Sequence, residues 1–556
     1  MKIAPALIFI LAVAPSAFAQ DDDAVYTVGE TVVTATKQEV GVEDVPQPVT
    51  VISGEEITNR QAYNAGEMLD FVPGVRIIRS GTVGASNGVS IRSLNGGPSS
   101  NKTLVLVDGR PVNEAWDGGV NWHSIPSELI DRIEVVRGPG SALYGSNATA
   151  GVINVFTKKP RPGFHGWFSV GHEFNMGDDI DDSSADGYGR PEIGATRIGL
   201  NGSYADERTS HFVSLGYRDA EQSFPTPNEN TWDNYDVLYK VNRDLTDNLS
   251  SRLTVDVHNN TWDNKADRSP TENSTDNVAV DLQTRWQTDT GVLNSRVYVN
   301  RSETESTVSA TDLKTGETAT RTGVIADYSL PLPGKSMLIA GFDAYYDNAD
   351  IDYEKTVVSM NYRGVETVNI ISGSTGAVDS FLADTFDGVY GSNSQSYDQN
   401  NVALFAQYDK SITDRLNFVA GGRFDIHSEF GSVFNPKAGL TYDVWTHDEF
   451  ATTLKVNYGT AFRAPPMVGL FSQSTGGYGD EDLEPEKTKN TDIGVFQRLG
   501  EWGHVELTFF HMDVTNLLIN DKLGSTGEGY YVFVPAEAGI DTISSVSYTH
   551  LRAHET

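Results

Sequence analysis

From Phe164 onward apolar and polar side chains alternate with a period of two. ATRIGLNGSY sets Ile198, Leu200 and Tyr204 against Arg197, Asn201 and Ser203. YDVLYKVNR sets Tyr235, Val237, Tyr239 and Val241 against Asp236, Lys240 and Asn242. RLTVDVH sets Leu253, Val255 and Val257 against Arg252, Asp256 and His258. NVALFAQYD repeats the pattern with Val402, Leu404, Ala406 and Tyr408. This period predicts strands with one apolar and one polar face. Each runs roughly ten residues, the length a tilted strand needs to cross a bilayer. About 16 such strands can be traced over residues 164–543.

The connections between strands sort by length. Brief turns fall at 205–209, 244–248, 289–290, 331–334, 411–413, 446–449 and 500–501. Longer polar inserts fall between them, at 175–193, 220–233, 259–276, 302–321, 347–399 and 461–487. Only the connection near Gly431 is short where a long one is expected. A soluble sandwich has no reason to sort its loops by parity, whereas a membrane barrel has two different rims. Tyr217, Tyr235, Tyr345 and Tyr442 at strand ends suit interfacial aromatic girdles.

The first 160 residues read differently. Lys2, the apolar run Ile3 to Ala14 and the small-x-small site Ala17-Phe18-Ala19 form a secretory signal peptide over 1–19. Residues 20–44 hold few large apolar side chains and read as an exposed, flexible segment. Within it ETVVTAT, Glu30 to Thr36, is a β-branched box suited to pairing with the sheet edge of a partner. Residues 45–160 read as a small mixed α/β domain. TLVLVDGRPV gives a strand turning at Asp108-Gly109, IPSELIDRIEVVR a helix-like stretch running into a strand, and GVINVFTKK a further strand.

Composition narrows the class. No other stretch is long and apolar enough for a spanning helix, so a chain that enters a membrane must do so as a closed barrel. Hydrophobic content of 38% with 53 Gly suits a barrel with a polar lumen. There are no cysteines, hence no disulfide and no thiolate metal site. The net charge of -35 disfavours nucleic acid as a partner. No G-x-S-x-G or H-E-x-x-H occurs, and no enzyme activity is expected. RGPGSALYGSNATAG lacks the Lys-Ser/Thr ending of a phosphate loop, so its glycines read as tight turns and close backbone approaches. Asp178, Asp179, Asp181 and Asp182 could hold a structural calcium ion, against the simpler reading of a solvated acidic loop.

These pieces together resemble a TonB-dependent outer-membrane receptor. The resemblance rests on ETVVTAT, VPQPVTVISGEEI (45–57), EMLDFVPGVRI (67–77), VSIRSL (89–94), TLVLVDGRPV (103–112) and IPSELIDRIEVVRGPGSALYGSNATAGVINV (125–155). In the barrel YGTAFRAPPMVGLF (458–471) and LEPEKTKNTDIGV (483–495) match two more family signatures. It implies an all-β transmembrane barrel of about 22 strands, with the N-terminal domain inside as a plug. It implies a place in the outer membrane of a Gram-negative bacterium, against its lipid. Glu30, Thr31, Val32, Val33, Thr34, Ala35 and Thr36 would bind the periplasmic domain of TonB. Glu134 and Arg137 would hold plug to barrel. The FRAPP and LEPEK segments would stabilise barrel architecture.

The family layout places ligand contacts on the plug's apical loops. There Arg79, Asn87, Asn113, Trp116, Asn121, Trp122 and His123 offer aromatic faces and polar heads, with packing and turn roles as the alternative. The resemblance implies energised transport, with a ferric siderophore as the commonest cargo and the ferric ion carried as part of the ligand. Cobalamin is the second reading, supported by the acidic first insert. Haem is disfavoured because residues 463–486 contain no His. A passive adhesin-like barrel stays open. The last residues break the pattern: SSVSYTHLRAHET, 544–556, shows no strand alternation. The expectation is a barrel cut short by about six strands, with an anomalous tail foreign to it.

Overall fold

A computed structural model describes residues 31–551 apart from 61, 63, 79–87, 95–101, 176–191, 224–228, 266–270, 309–312, 358–359, 363–364, 371–378, 382–388, 448, 472, 475–476, 501–502, 523–530 and 537–541. Nine plug strands come first. They are β1 (Thr31–Val32), β2 (Val40–Gly41), β3 (Val49–Ser53), β4 (Val75–Ile78), β5 (Gly88–Ile91), β6 (Thr103–Val107), β7 (Arg110–Pro111), β8 (Ile130–Arg137) and β9 (Gly151–Thr157). Helices α1 (Gly54–Arg60), α2 (Ala65–Leu69) and α3 (Ser141–Tyr144) lie among them. The plug sheet runs β3-β8-β9-β6-β7, with β6 and β9 parallel. Its core includes Ile52, Met68, Leu69, Ile91, Val105, Trp122, Ile133 and Ile153.

The strand and turn expected in TLVLVDGRPV are present. Asp108 and Gly109 both take positive φ, 49° and 82°, as a two-residue hairpin with right-handed strand twist requires. The helix-like spacing of IPSELIDRI gives only the 3-10 turn Ser127–Leu129 before β8 begins. The stretch is too short to propagate a helix, and β8 gains ladder bonds on both sides, to β3 and β9.

A sixteen-stranded antiparallel sheet follows. Its first nine strands are β10 (Gly163–Asn175), β11 (Glu192–Ala205), β12 (Thr209–Ser223), β13 (Glu229–Thr246), β14 (Leu249–Asn264), β15 (Thr271–Gln287), β16 (Val292–Val308), β17 (Leu313–Leu332) and β18 (Ser336–Val357). It continues through Val389–Thr413, Leu416–His427, Gly431–His447, Phe450–Arg463, Glu486–Leu499, Gly503–Thr515 and Thr542–Leu551. The alternation has the sense of a membrane barrel. Ile198, Leu200, Val237, Val257, Leu404 and Val456 are exposed, while Asn201, Asp236, His258, Gln407 and Lys455 are buried. Among the described residues no helix is long and apolar enough to cross a membrane.

Three expectations change. The inserts after β12, β14 and β16 are largely continued strand, because β-pairing runs on past the apolar band: β16 reaches Val308 and β17 starts at Leu313. Tyr345 is not an outward girdle residue. It shares the face of Asp343 and Asp347, and Arg321 lies over its ring at 4.6 Å. Finally, the tail is not excluded from the sheet. Thr542–Leu551 pairs antiparallel with Gly503–Met512, a pairing that needs only main-chain donors and acceptors.

Candidate functional site: plug, box and barrel wall

The box is a folded element in this structure. Residues 31–44, expected to be exposed and flexible, turn back so that β1 pairs with β2. Val32, Thr34, Ala35 and Thr36 are buried, and Val32 and Ala35 join an apolar cluster with Leu104, Val136 and Val152. The cause is a set of partners distant in sequence. Glu134 Oε2 accepts from Val33 N at 3.0 Å, Thr34 N at 2.9 Å and Thr34 Oγ1 at 2.7 Å. Tyr144 Oη donates to Thr34 O at 2.8 Å, and Asn154 Nδ2 donates to Thr34 Oγ1 at 3.1 Å. From the wall, Gln407 Nε2 donates to Thr36 O and Lys437 Nζ to Ala35 O, each at 3.4 Å. Burial, and next the Glu134 charge, push the Tyr144 hydroxyl well above the ordinary tyrosine range, so it remains a donor.

Glu134 therefore has a different place from the one expected. Among the described residues its carboxylate meets the box and Arg132 Nε at 3.0 Å, not the wall. Arg137 does reach the wall: NH2 lies 3.6 Å from Glu506 Oε2, while NH1 donates to Thr50 Oγ1 at 2.7 Å. Further plug-to-wall pairs went unread in the sequence. They are Arg92 with Asp492 at 2.8 Å, Lys102 with Glu486 at 2.9 Å, Lys240 with Asp108, and Arg110 with Asp256 at 3.2 Å. Glu486 of LEPEK also lies 3.6 Å from Arg463 of FRAPP, opposite it in the ladder. The signal available for Asp108 and Arg110 was the DGR triplet, which read only as a turn. The close approach expected of the glycines is real at Gly145. It has φ of 78°, and a Cβ there would lie 2.8 Å from the Arg423 guanidinium.

The apical loop 113–123 is held from both sides. Asn113 Oδ1 accepts from Val105 N at 2.9 Å, and its Nδ2 donates to Thr103 O and Gly118 O, so this side chain shapes the loop. Asn121 caps the turn of Trp122–Ser124 through His123 N. Trp122 belongs to the plug core, against α2, where a Cβ on Gly66 would lie 3.0 Å from its ring. The His123 ring packs on Trp232 of the wall at 4.7 Å. Trp116 stacks on Tyr397, which stacks on Phe471 at 4.9 Å. Helix α4 (Met467–Phe471) closes over it, Val468 N donating to Trp116 O at 3.0 Å. Of the seven apical residues named from the sequence, the five described are thus brought together on one loop, and all are buried. Arg79, Asn87 and Glu30 lie outside the described residues, as do the four aspartates proposed for calcium.

Residues 41–152 match the family profile described as TonB-dependent Receptor Plug Domain. Residues 166–546 match TonB dependent receptor-like, beta-barrel. The chain is 28% identical over 522 residues to the iron-regulated outer membrane virulence protein of Vibrio cholerae serotype O1, covering 90% of this chain and 70% of that one. In fold it is similar to the siderophore receptor PirA of Acinetobacter baumannii, with TM-score 0.66, 19% identity and coverage of 89% and 76%. It is also similar to a ferric enterobactin receptor PfeA mutant of Pseudomonas aeruginosa solved with enterobactin, with TM-score 0.66, 18% identity and coverage of 88% and 76%. The alcaligin outer membrane receptor FauA of Bordetella pertussis shares the fold at TM-score 0.61 and 14% identity, over 91% and 77%. A plug sheet seated by buried ion pairs, inside strands that turn their apolar faces outward, agrees with both profiles: the chain belongs to the TonB-dependent receptors of the bacterial outer membrane.

Proposed function

We propose that this receptor binds a ferric siderophore above its plug and imports it with energy delivered by the periplasmic domain of TonB through ETVVTAT. The box carries the reading. Strand addition to a partner's sheet edge uses every second N–H, so it would take one of the Val33 and Thr34 donors that Glu134 now holds. A segment tied by hydrogen bonds can exchange one set of partners for another. The siderophore part of the reading draws on kinship, since PirA, FauA and the enterobactin-bound PfeA share this fold. With Trp116 buried beneath α4, a ligand arriving from outside would act on this loop through Tyr397 and Phe471 of the barrel, which stack in series on it.

The test is uptake in a receptor-deletion strain carrying the gene, with ⁵⁵Fe-enterobactin, ⁵⁵Fe-alcaligin and labelled cobalamin side by side. The expected result is uptake of an iron chelate that is lost without TonB and lost in Val33→Pro, which removes a main-chain donor. Cobalamin uptake alone would replace the siderophore reading. Uptake of none, with receptor present at the surface, would reject all three ligands.

A further inference from the structure

The barrel wall carries a seam on the half away from its short turns. Gly431–His447 and Phe450–Arg463 are ladder neighbours only as far as the pair of Lys437 with Gly459. Beyond it, among the described residues, 431–436 pairs with 422–427 alone, and 460–463 with 486–489 alone. Pro436, beside the point of parting, has no N–H to offer a neighbour. The two margins still touch through side chains. Thr460 Oγ1 donates to Asn435 Oδ1 at 3.3 Å, and Phe430 meets Phe462 edge to face at 5.9 Å. A strand margin that leaves its ladder has main-chain donors and acceptors to satisfy elsewhere.

The plug satisfies them with α3. Ser141 is fully buried, and its Oγ accepts from Phe462 N at 3.2 Å and donates to Phe462 O at 3.4 Å, as a residue of a neighbouring strand would. Two positions on, Ala464 N donates to Ser146 Oγ at 3.0 Å. From there Pro465 and Pro466 lead directly into α4, which covers Trp116. The middle of α3 is seated as closely: Leu143 packs on Ile339 and Phe405, and Gly145 has no room for a Cβ against Arg423. The last residue of the turn, Tyr144, donates to Thr34 O of the box at 2.8 Å. A close-packed turn of four residues that holds the wall at one end and the box at the other passes a shift at either end to its partner.

We propose that α3 is a coupling turn between the wall seam and the box: removal of the box by TonB loosens the seam, and loosening of the seam frees the box. The proposal rests on the reading of ETVVTAT as the TonB site. The seam has two arrangements, closed on Ser141 or parted along Phe462, and each end of α3 biases the choice between them. Linkage makes the coupling equal in both directions. Engagement of the box is thereby felt at Ala464 and the insert beyond it while the plug stays inside the barrel.

The chain contains no cysteine, so a single introduced thiol reports unambiguously. In isolated outer membranes, Val33→Cys reports the box and Ala464→Cys the seam, each by its rate of reaction with a maleimide. Ser141→Ala is expected to speed labelling of Val33→Cys at least about fivefold, and Ser146→Ala, the milder change, to act in the same direction. Tyr144→Phe, which removes only the hydroxyl that holds Thr34, is expected to speed labelling of Ala464→Cys by a similar factor. Arg110→Gln breaks a plug-to-wall contact away from α3 and is expected to leave both rates within about twofold. An unchanged seam in Tyr144→Phe, or equal rises for Ser141→Ala and Arg110→Gln, would overturn the proposal. A second measurement uses the cysteine-free variants and the purified periplasmic domain of TonB. Ser141→Ala is expected to tighten its binding about fivefold. Ser141→Ala with Tyr144→Phe should tighten it by less than the product of the single effects, and fully independent effects would overturn the coupling. If the wild-type protein binds no TonB, the box reading fails while the labelling still decides the coupling.

Discussion

Glu134 and Thr34 lie a hundred residues apart in sequence and are joined twice, through Thr34 N at 2.9 Å and Thr34 Oγ1 at 2.7 Å to the same carboxylate oxygen. The receptor thus keeps its own box as a ligand of its own plug. Hydrogen bonds to a charged acceptor are worth about 1.5–3 kcal/mol each. Glu134→Ala should therefore loosen the box without touching it. The expected outcome is labelling of Val33→Cys at least about tenfold faster in the Glu134→Ala background. Unchanged labelling would mean that the apolar cluster around Val32, and not Glu134, holds the segment.

Arg321 and Asp347 form a two-pronged pair on neighbouring strands, 2.7 Å at each contact and both buried. Removing one partner leaves the other charge buried, at a cost of about 3–5 kcal/mol. Asp347→Ala should lower the temperature at which the barrel loses its compact form on a gel. The double change Arg321→Met with Asp347→Leu should recover most of that loss. A double variant as damaged as the single one would show that the pair matters for more than its unpaired charge.

The apical loop should respond to pH through Glu114. Burial, and then the nearby Asp117 charge, push its carboxyl from 4.5 to about 8. A carboxyl raised in the folded loop favours docking where it keeps its proton. That contribution is complete below about 4.5 and lost as pH rises through about 8. Hydrogen exchange across 113–123 should therefore quicken over this window, and Glu114→Gln should flatten the response. A wild-type loop whose exchange, corrected for intrinsic chemistry, is level from pH 5 to 8 would contradict it.

Gly145 tests how closely the plug is fitted. Its φ of 78° and the Arg423 guanidinium at 2.8 Å both oppose a side chain. Gly145→Ala should cost about 1–3 kcal/mol of plug seating, read as faster proteolysis of the plug in isolated outer membranes. Gly194→Ala, with nothing within 4 Å of its added carbon, should be silent.

The parts of this fold that repeat were legible in the sequence. Lipid demands an apolar residue at every second position, so the faces of β11, β13 and β14 could be assigned from spacing alone. Strand length could not, because a strand above the membrane carries the same polar residues as a loop; β16 and β17 run into the expected insert for that reason. The box environment was hidden because its partners, Glu134, Tyr144 and Asn154, come from three later plug segments. Trp116 and Trp122 look alike in the chain. Only the packing of α2 against Trp122 and of α4 over Trp116 separates plug core from the loop that meets the barrel.

The plug sheet order β3-β8-β9-β6-β7 has a mechanical consequence. Along the chain β3 is the first strand of this sheet after the box, an outer strand with β8 as its one neighbour. It can be stripped away while the other four strands stay zipped. β7, paired only with β6, is the opposite margin of the same sheet. A pull that strips β3 leaves β8, β9, β6 and β7 paired, so the sheet can give way at one margin without disturbing the other.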